Sequence, residues 1–398
     1  MPKGIFEIRI RQLLKQLNIK TKGTAIYLTS KDFDTSEDCG VYLDGYMYYL
    51  SGIDIPNTGY LYNITTRESI LFSDFKKETE LPQKYQIDNI LPPKAAKRIL
   101  ARYSKVYKLS DLKRHLIKMR LIKTPTELND IKNVCLLTCR TLKYVIKNIQ
   151  VGDYESHVEK QLAYQANLHG MNRKAFPSII AGGQNATTLH YSHNNSKLKN
   201  GELMILDVGF RIHGYCSDIS RTIPINGIFT EMQRKIYNAL LKIQKTLITM
   251  AISNTTFNNL QQFCNQMLYQ LLVDMKILGV EAPSEHKKTI VRTFMPHSVG
   301  HSIGLDVHDP VDDYGTLVLK DGMVLTIEPG IYFNKEIIAK LPPNITKYIN
   351  LDVIRKFRNN GVYGIRIEDV ILIKKNKNQN LTKNITKSIG GIEKLMHK

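Results

Sequence analysis

The sequence predicts a mixed α/β protein of two domains, a small first domain over residues 1–122 and a larger one over residues 123–398. The chain's 398 residues exceed what a single typical core serves. Short strand-like runs and helical-period runs are interspersed along the whole length. A strong helix start at Thr124 separates a region of short elements from one of longer elements. Hydrophobic residues make up 42% and charged residues 23%, ordinary proportions for a globular chain.

The elements follow in order. Met1 to Lys20 alternates Ile5, Ile8, Leu13, Leu14 and Leu17 with Lys and Arg, as a solvated first helix would. It lacks the continuous apolar block and small-residue cleavage site of a secretory signal. A cytoplasmic location is expected, and an organelle address is the other reading a basic amphipathic start allows. Residues 22–110 carry short strands such as Thr24–Leu28 and Tyr60–Asn63, separated by turns. The basic stretch Lys108–Leu121 joins this unit to the next. In Thr124-Pro125-Thr126-Glu127, the threonine caps, proline suits the first helical position and Glu127 closes a capping box. Leu128, Ile131, Cys135, Thr138, Leu142 and Val145 continue at helical spacing. Thr230–Gln233 is a second capping box, opening a helix with Met232, Ile236, Leu240, Ile243 and Leu247 on one face. Three runs read as strands: Leu203–Phe210, Met323–Phe333 and Val362–Ile373. The polar stretch after Lys374 is expected to be loosely ordered until Ile389.

Composition narrows the function classes. No run approaches the roughly 18 apolar residues that a membrane span needs. Cys39, Cys135, Cys139, Cys216 and Cys264 form no CxxC pair, and free thiols in a reducing compartment are expected. The net charge of +20 attracts polyanions without selectivity. No stripe of basic residues interleaved with aromatics appears, so no specific nucleic-acid partner is expected.

The chemistry lies in a few acids and histidines. Asp207 sits within the apolar run Ile205-Leu206-Asp207-Val208-Gly209, where an unpaired carboxylate is costly without a cation or strong donors. Asp218 follows eleven residues later, in Tyr215-Cys216-Ser217-Asp218-Ile219. A turn at Gly214 would lay the two strands antiparallel and bring both carboxylates together, which repel unless something positive lies between them. A salt bridge from Arg221 could satisfy Asp218, but not both acids. His297, His301 and His308 fall within twelve residues, in a stretch that is not the HExxH helix of zinc proteases. Glu328 ends an apolar run before Pro329-Gly330, and Glu368 lies in Gly364-Ile365-Arg366-Ile367-Glu368-Asp369. Strand alternation places Arg366 and Glu368 on one face, either as a plain ion pair or with Arg366 orienting the metal-binding acids. Four acids and one histidine suit two divalent ions of the manganese, cobalt or zinc type, manganese being favoured by carboxylate ligands.

Order and spacing of these residues resemble the pita-bread metallopeptidases: methionine aminopeptidase, Xaa-Pro aminopeptidase and prolidase. The resemblance covers roughly residues 120–373 and implies that fold for the second domain. It implies that Asp218 and Glu368 bridge two metals, that Asp207 chelates one, and that His301 and Glu328 bind the other. Leu189-His190-Tyr191, and His297 and His308 placed four before and seven after His301, resemble the proline-specific branch. So does Phe294-Met295-Pro296-His297, which looks like prolidase. Tyr48-Tyr49-Leu50-Ser51-Gly52 resembles a segment that lies near a neighbouring subunit's site in such enzymes, and a homodimer is implied.

The expected activity is hydrolysis of the Xaa-Pro bond at peptide N-termini by a hydroxide bridging the two ions. Glu328 is the candidate proton shuttle. His190 and His308 would donate to the oxyanion and substrate carbonyl, and His297 would line the proline pocket. The alternative is an Xaa-Pro dipeptidase, which must clamp a free carboxylate. Asp309–Met323 contains no arginine and only Lys320 as a cation, so that clamp is missing unless Arg355 or Arg358 supplies it. A catalytically inert binding protein of the same fold is a third reading, disfavoured because all five ligands are intact.

Overall fold

A computed structural model describes residues 4–19, 22–30, 44–74 and 81–397. Cys39 lies outside the described residues. Two compact units are present. One comprises Met1–Leu121 with Pro310–Asp312, the other Ile122–Asp309 with Asp313–Lys398.

In the first unit, a helix over Ile5–Leu17 buries Ile10 and Leu13. It also buries Arg9, whose guanidinium lies 4.0 Å from the Tyr49 ring centroid and donates to the Tyr49 carbonyl at 2.9 Å. One basic residue of this helix is thus a core contact. Five strands, β1 (Thr24–Thr29), β2 (Gly59–Asn63), β3 (Ser69–Phe72), β4 (Asn89–Leu91) and β5 (Lys105–Tyr107), form one sheet in the order β4-β3-β2-β1-β5. The basic stretch read as a connection is itself a helix, Leu109–Leu121, belonging to this unit. Its lysines and arginines obscure an apolar stripe, since Leu112, Leu116 and Ile117 are buried. The segment Tyr48–Gly52 is the end and cap of a helix over Gly45–Ser51.

The second unit opens with the helix Pro125–Asn148. Thr124 Oγ1 accepts from the Glu127 N–H at 3.4 Å, and Glu127 Oε2 accepts from the Thr124 N–H at 2.7 Å. The same reciprocal pair between Thr230 and Gln233 starts the helix Glu231–Met250. Strand β7 (Leu203–Val208) lies between β6 (Ile179–Gly182) and β10 (Ile219–Pro224), antiparallel to both. The short strands β8 (Arg211–Ile212) and β9 (Tyr215–Cys216) join β7 to β10 through a turn at His213-Gly214, where φ is 48° and 84°. Glycine meets that left-handed geometry without steric cost.

The two later apolar runs do not form continuous strands. Met323–Phe333 divides into β11 (Val324–Ile327) and β12 (Gly330–Tyr332), and Val362–Ile373 into β13 (Gly364–Arg366) and β14 (Asp369–Ile373). β11 pairs with β14 and β12 with β13, so a bent two-stranded ribbon results. Glu328-Pro329 and Ile367-Glu368 sit at its bend. Proline cannot donate to a ladder, which ends the first pairing at Ile327.

The stretch after Lys374 corrects the expectation of loose order. Strand β15 (Asn378–Asn380) pairs with β14, and Leu381, Thr382 and Ile385 are buried ahead of the helix Ile389–Met396. Its polar residues have partners inside the fold, as Thr382 Oγ1 donates to Asp369 at 2.8 Å. No helix among the described residues is long and apolar enough to cross a membrane.

Candidate metal centre

The β7–β10 register sets the first two acids together. Asp207 is paired with Ser220, two residues beyond Asp218. Asp207 is 8% exposed and Asp218 5% exposed. The Arg221 alternative for Asp218 does not occur. Arg221 instead donates to Asp369 Oδ1 at 2.8 Å and to the Ile385 and Thr386 carbonyls.

His301 reaches the same place from the loop ahead of β11. A Cβ on Gly300 would lie 2.0 Å from the Thr326 carbonyl oxygen. Glycine therefore permits the close approach at which the His301 N–H donates to Thr326 Oγ1 at 3.0 Å. His301 Nδ1 lies 3.1 Å from the Ser302 carbonyl, which only accepts, so that nitrogen carries the proton. Nε2 then presents a lone pair 3.4 Å from Asp218 Oδ2 and 3.5 Å from Glu328 Oε1. A bare nitrogen facing two carboxylates is repulsive unless a cation or a shared proton lies between them.

Glu328 and Glu368 enter from the ribbon bend. Ser220 Oγ donates to Glu368 Oε2 at 2.9 Å, and Thr326 Oγ1 donates to Glu328 Oε1 at 3.3 Å. Arg366 does not pair with Glu368. Its Nη2 donates to Asp207 Oδ2 at 2.6 Å, its Nε to Ser220 Oγ at 3.0 Å and its Nη1 to Tyr332 Oη at 2.7 Å. The reason is the break before Glu368, which removes the strand alternation that would have placed the two side chains together. Arg366 thus orients Asp207 directly and Glu368 through Ser220.

The electrostatics are those of an acid cluster awaiting positive charge. Burial, then the charges of Asp207 and Glu328, push the Asp218 carboxyl well above its ordinary range. Burial, Asp218, Glu328 and Asp207 do the same to Glu368. Glu328 is raised by burial, with His301 and Arg366 opposing. Ligand atoms of Asp218, His301 and Glu368 all lie within 4.8 Å of one another. Asp207 Oδ1 is buried without a hydrogen-bond partner. An orphaned carboxylate oxygen beside an oxygen-rich set with one bare imidazole nitrogen fits divalent cations.

Three more histidines surround these groups. The His308 ring packs edge-on against His301, with centroids 4.4 Å apart. Burial, with the charges of His301 and His190, brings its pKa down to about 4. His297 has both nitrogens engaged: Nδ1 donates to the Ser298 carbonyl at 2.8 Å and Nε2 accepts from Tyr332 Oη at 2.9 Å. Burial, then Arg366, brings it down to about 3, so its ring is neutral. His190 is exposed and acts electrostatically on both His297 and His308. Sequence reasoning named these histidines but gave no role to Ser220 or Tyr332. Ser220 faces Asp207 in the predicted hairpin, and that register was the one available signal for it.

Arg355 and Arg358, the stand-ins for a carboxylate clamp, are occupied elsewhere. Arg355 pairs with Asp352 at 2.9 Å on the surface of its own helix, Leu351–Asn359. Arg358 donates to the Phe333 carbonyl at 2.6 Å and lies over the Tyr363 ring.

The profile of metallopeptidase family M24 matches residues 129–375, more than half of the chain and a span that contains Asp207, Asp218, His301, Glu328 and Glu368. The chain belongs to metallopeptidase family M24. Among M24 relatives, a Xaa-Pro aminopeptidase of Haemophilus influenzae is 29% identical, with the match covering 100% of this chain and 98% of that protein. Xaa-Pro aminopeptidase 3 of Rattus norvegicus is 34% identical over 71% of this chain, and the match spans about half, 52%, of that protein. Aminopeptidase P of Escherichia coli, solved with the inhibitor Pro-Leu, superposes with a TM-score of 0.80 at 25% identity, covering 100% of this chain and 98% of that one. Its mixed α/β architecture, with an N-terminal domain and a pita-bread catalytic domain, is the fold of this M24 protein.

Proposed function

We propose that this M24 enzyme removes the N-terminal residue from peptides whose second residue is proline. The observation that carries the reading is the convergence of Asp218, His301 and Glu368, with Asp207 and Glu328, beside His190 and His308. The relatives' names point to the same substrate class. Asp207, Asp218, His301, Glu328 and Glu368 would hold two divalent ions. Manganese is proposed, because four of the five side chains offer carboxylate oxygen. Bound there, such ions acidify water and polarise a carbonyl.

The chain's own groups do the rest. Glu328, raised above its ordinary range, accepts a proton from the attacking water at a carboxylate oxygen and delivers it to the leaving imide nitrogen as the carbon–nitrogen bond breaks. His190 and His308 offer ring N–H groups to the substrate carbonyl and the developing oxyanion. His297 has no nitrogen free for substrate, so it presents its ring as a wall of the proline pocket. An imide nitrogen has no N–H, so strand-like docking fails at that bond and a fitted ring pocket replaces it. A dipeptidase needs a cation for the free carboxylate, and Arg355 and Arg358 hold other partners, Asp352 and the Phe333 carbonyl.

The test compares an Xaa-Pro-Yaa tripeptide with the corresponding Xaa-Pro dipeptide on metal-loaded protein. The tripeptide should turn over faster. Dipeptide preference, or hydrolysis of neither, would falsify the reading. A cytoplasmic homodimer is part of the proposal. Light scattering should then give twice the chain's 45.6 kDa, and elemental analysis should find manganese in purified protein.

A further inference from the structure

Glu155 is completely buried, at 0% exposure, in the first turn of the helix Glu155–Leu168. Among the described residues no charged partner lies on it. Four hydrogen bonds hold it instead, and all four come from the segment that carries His190. Its Oε1 accepts from the Gly182 N–H at 2.9 Å and from Asn185 Nδ2 at 2.8 Å. Its Oε2 accepts from Tyr191 Oη at 2.7 Å and from the Ser196 N–H at 2.9 Å. Asn185 closes the network by donating to Tyr191 Oη at 2.9 Å and Ser196 Oγ at 3.0 Å. One carboxylate therefore clasps both ends of a fifteen-residue excursion, Gly182 to Ser196, and its middle at Tyr191.

His190 has no such support of its own. Among the described residues it makes no hydrogen bond, and it is exposed. Its neighbours face the other way. Tyr191 is 8% exposed in a core cluster with Ile179, Ala181, Ala186, Ile205 and Tyr332, and Leu189 packs against that cluster. The direction of His190 is thus set by how Tyr191 is anchored, and Tyr191 is anchored by Glu155.

We propose that Glu155 is a positioning residue that fixes His190 for its work on substrate, through Tyr191. This rests on the role of His190 in the peptidase reading above. A buried carboxylate suits the task because charge-assisted hydrogen bonds are the strong ones, and four of them from one segment leave it a single arrangement. A catalytic donor displaced by about 1 Å can lose on the order of 100-fold in rate.

The test is a double-mutant cycle on the tripeptide reaction, with Glu155→Gln, His190→Ala and their combination. Metal content and melting temperature confirm that each variant is loaded and folded. Glu155→Gln should lower kcat/KM by roughly 10- to 100-fold alone, yet by less than about 2-fold in the His190→Ala background. An equal fall in both backgrounds overturns the proposal, because a general structural defect would be additive with loss of His190. An unchanged rate for Glu155→Gln also overturns it. Should Glu155→Gln not fold, Tyr191→Phe takes its place with the same expected coupling, since it keeps the packed ring and removes only the hydroxyl. A second arm needs neither metal nor activity. Hydrogen exchange of the amides in 183–196, measured on metal-free protein, should be faster in Glu155→Gln than in wild type; equal exchange sinks the anchor. Wild-type protein that cleaves no Xaa-Pro peptide sinks the peptidase reading instead, and the exchange arm then decides the anchor alone.

Discussion

His301 and Asp218 show how much a single group does here. A backbone carbonyl fixes the His301 tautomer, so its free nitrogen and the Asp218 carboxylate meet lone pair to lone pair at 3.4 Å. A cation seated between them would turn that contact from repulsive to favourable. Asp218→Asn removes a buried charge that burial and two neighbouring acids already disfavour. The variant should lose metal uptake and peptide hydrolysis, while its metal-free form melts no lower than metal-free wild type. Calorimetry with and without manganese checks both halves. A variant that still binds two ions per chain and cleaves at the normal rate removes Asp218 from the site.

At the scale of elements, segments outside the bent ribbon hold the acid-bearing strands in place. Asp369 starts β14 directly after Glu368 and accepts from Arg221 on β10, from Gln244 on the helix Glu231–Met250, and from Thr382 and Lys387 beyond β15. Asp369, Arg221, Gln244 and Thr382 are buried, and Lys387 is half-buried. Asp369→Asn leaves Arg221 and Lys387 uncompensated and should cost about 3–5 kcal/mol in urea unfolding. A loss below about 1 kcal/mol would show that water already serves these cations. The C-terminal helix is tied more lightly. Glu393 accepts from the Phe229 N–H at 3.0 Å and pairs with Arg234. Burial opposes its ionisation, but the Arg234 and Phe229 hydrogen bonds outweigh that and hold its carboxyl below the ordinary range. A lowered folded-state pKa gives stability that is present above the unfolded value near 4.3 and is lost as pH falls through the folded value. Glu393→Gln should therefore cost under about 1 kcal/mol at pH 7, a difference that shrinks as pH falls through the folded-state value. A cost that grows on acidification would contradict the assignment. These elements also mark where sequence reading stops. Both capping boxes are legible because each is complete within four residues. Asp207 and Asp218 are legible because a hairpin is local. The breaks at Glu328 and Glu368 are not, since apolar residues continue on both sides and only the partner strand reveals the bend. Nor is the order after Lys374, where Lys387 and Thr382 look solvated until Asp369 meets them.

For the molecule as a whole, metal and folding are linked. The side chains proposed to hold the ions come from the β7–β10 hairpin, the loop ahead of β11 and the bent ribbon, and exist as a set only in the folded chain. A cation that binds this state and not the unfolded one stabilises it by about 2.7 kcal/mol at a hundredfold excess over Kd. For a chain of this size that corresponds to an upward shift of roughly 3–5 °C in melting temperature. Chelation should reverse the shift and manganese should restore it. No response to either would mean that the acids are satisfied without metal. The family motif is legible from one end of the catalytic unit to the other because its residue types are chemically obligatory. The supports are less so. Arg366 was open to two readings, and Glu155 carried no signal, because a carboxylate that serves only N–H and O–H donors leaves no characteristic spacing.

The bend in the β11–β14 and β12–β13 ribbon has one more consequence. In a straight ribbon, neighbouring side chains point to opposite faces, so two acids on facing strands share a face only if their register has matching parity. Interrupting both strands at the same point frees Glu328 and Glu368 from that rule, and Pro329 keeps the gap from zipping shut. Inserting or deleting one residue inside β12 or β13 would slip the far half of the ribbon, while the near half could hold its register. Tolerance to length changes should therefore differ sharply between the two sides of a single proline.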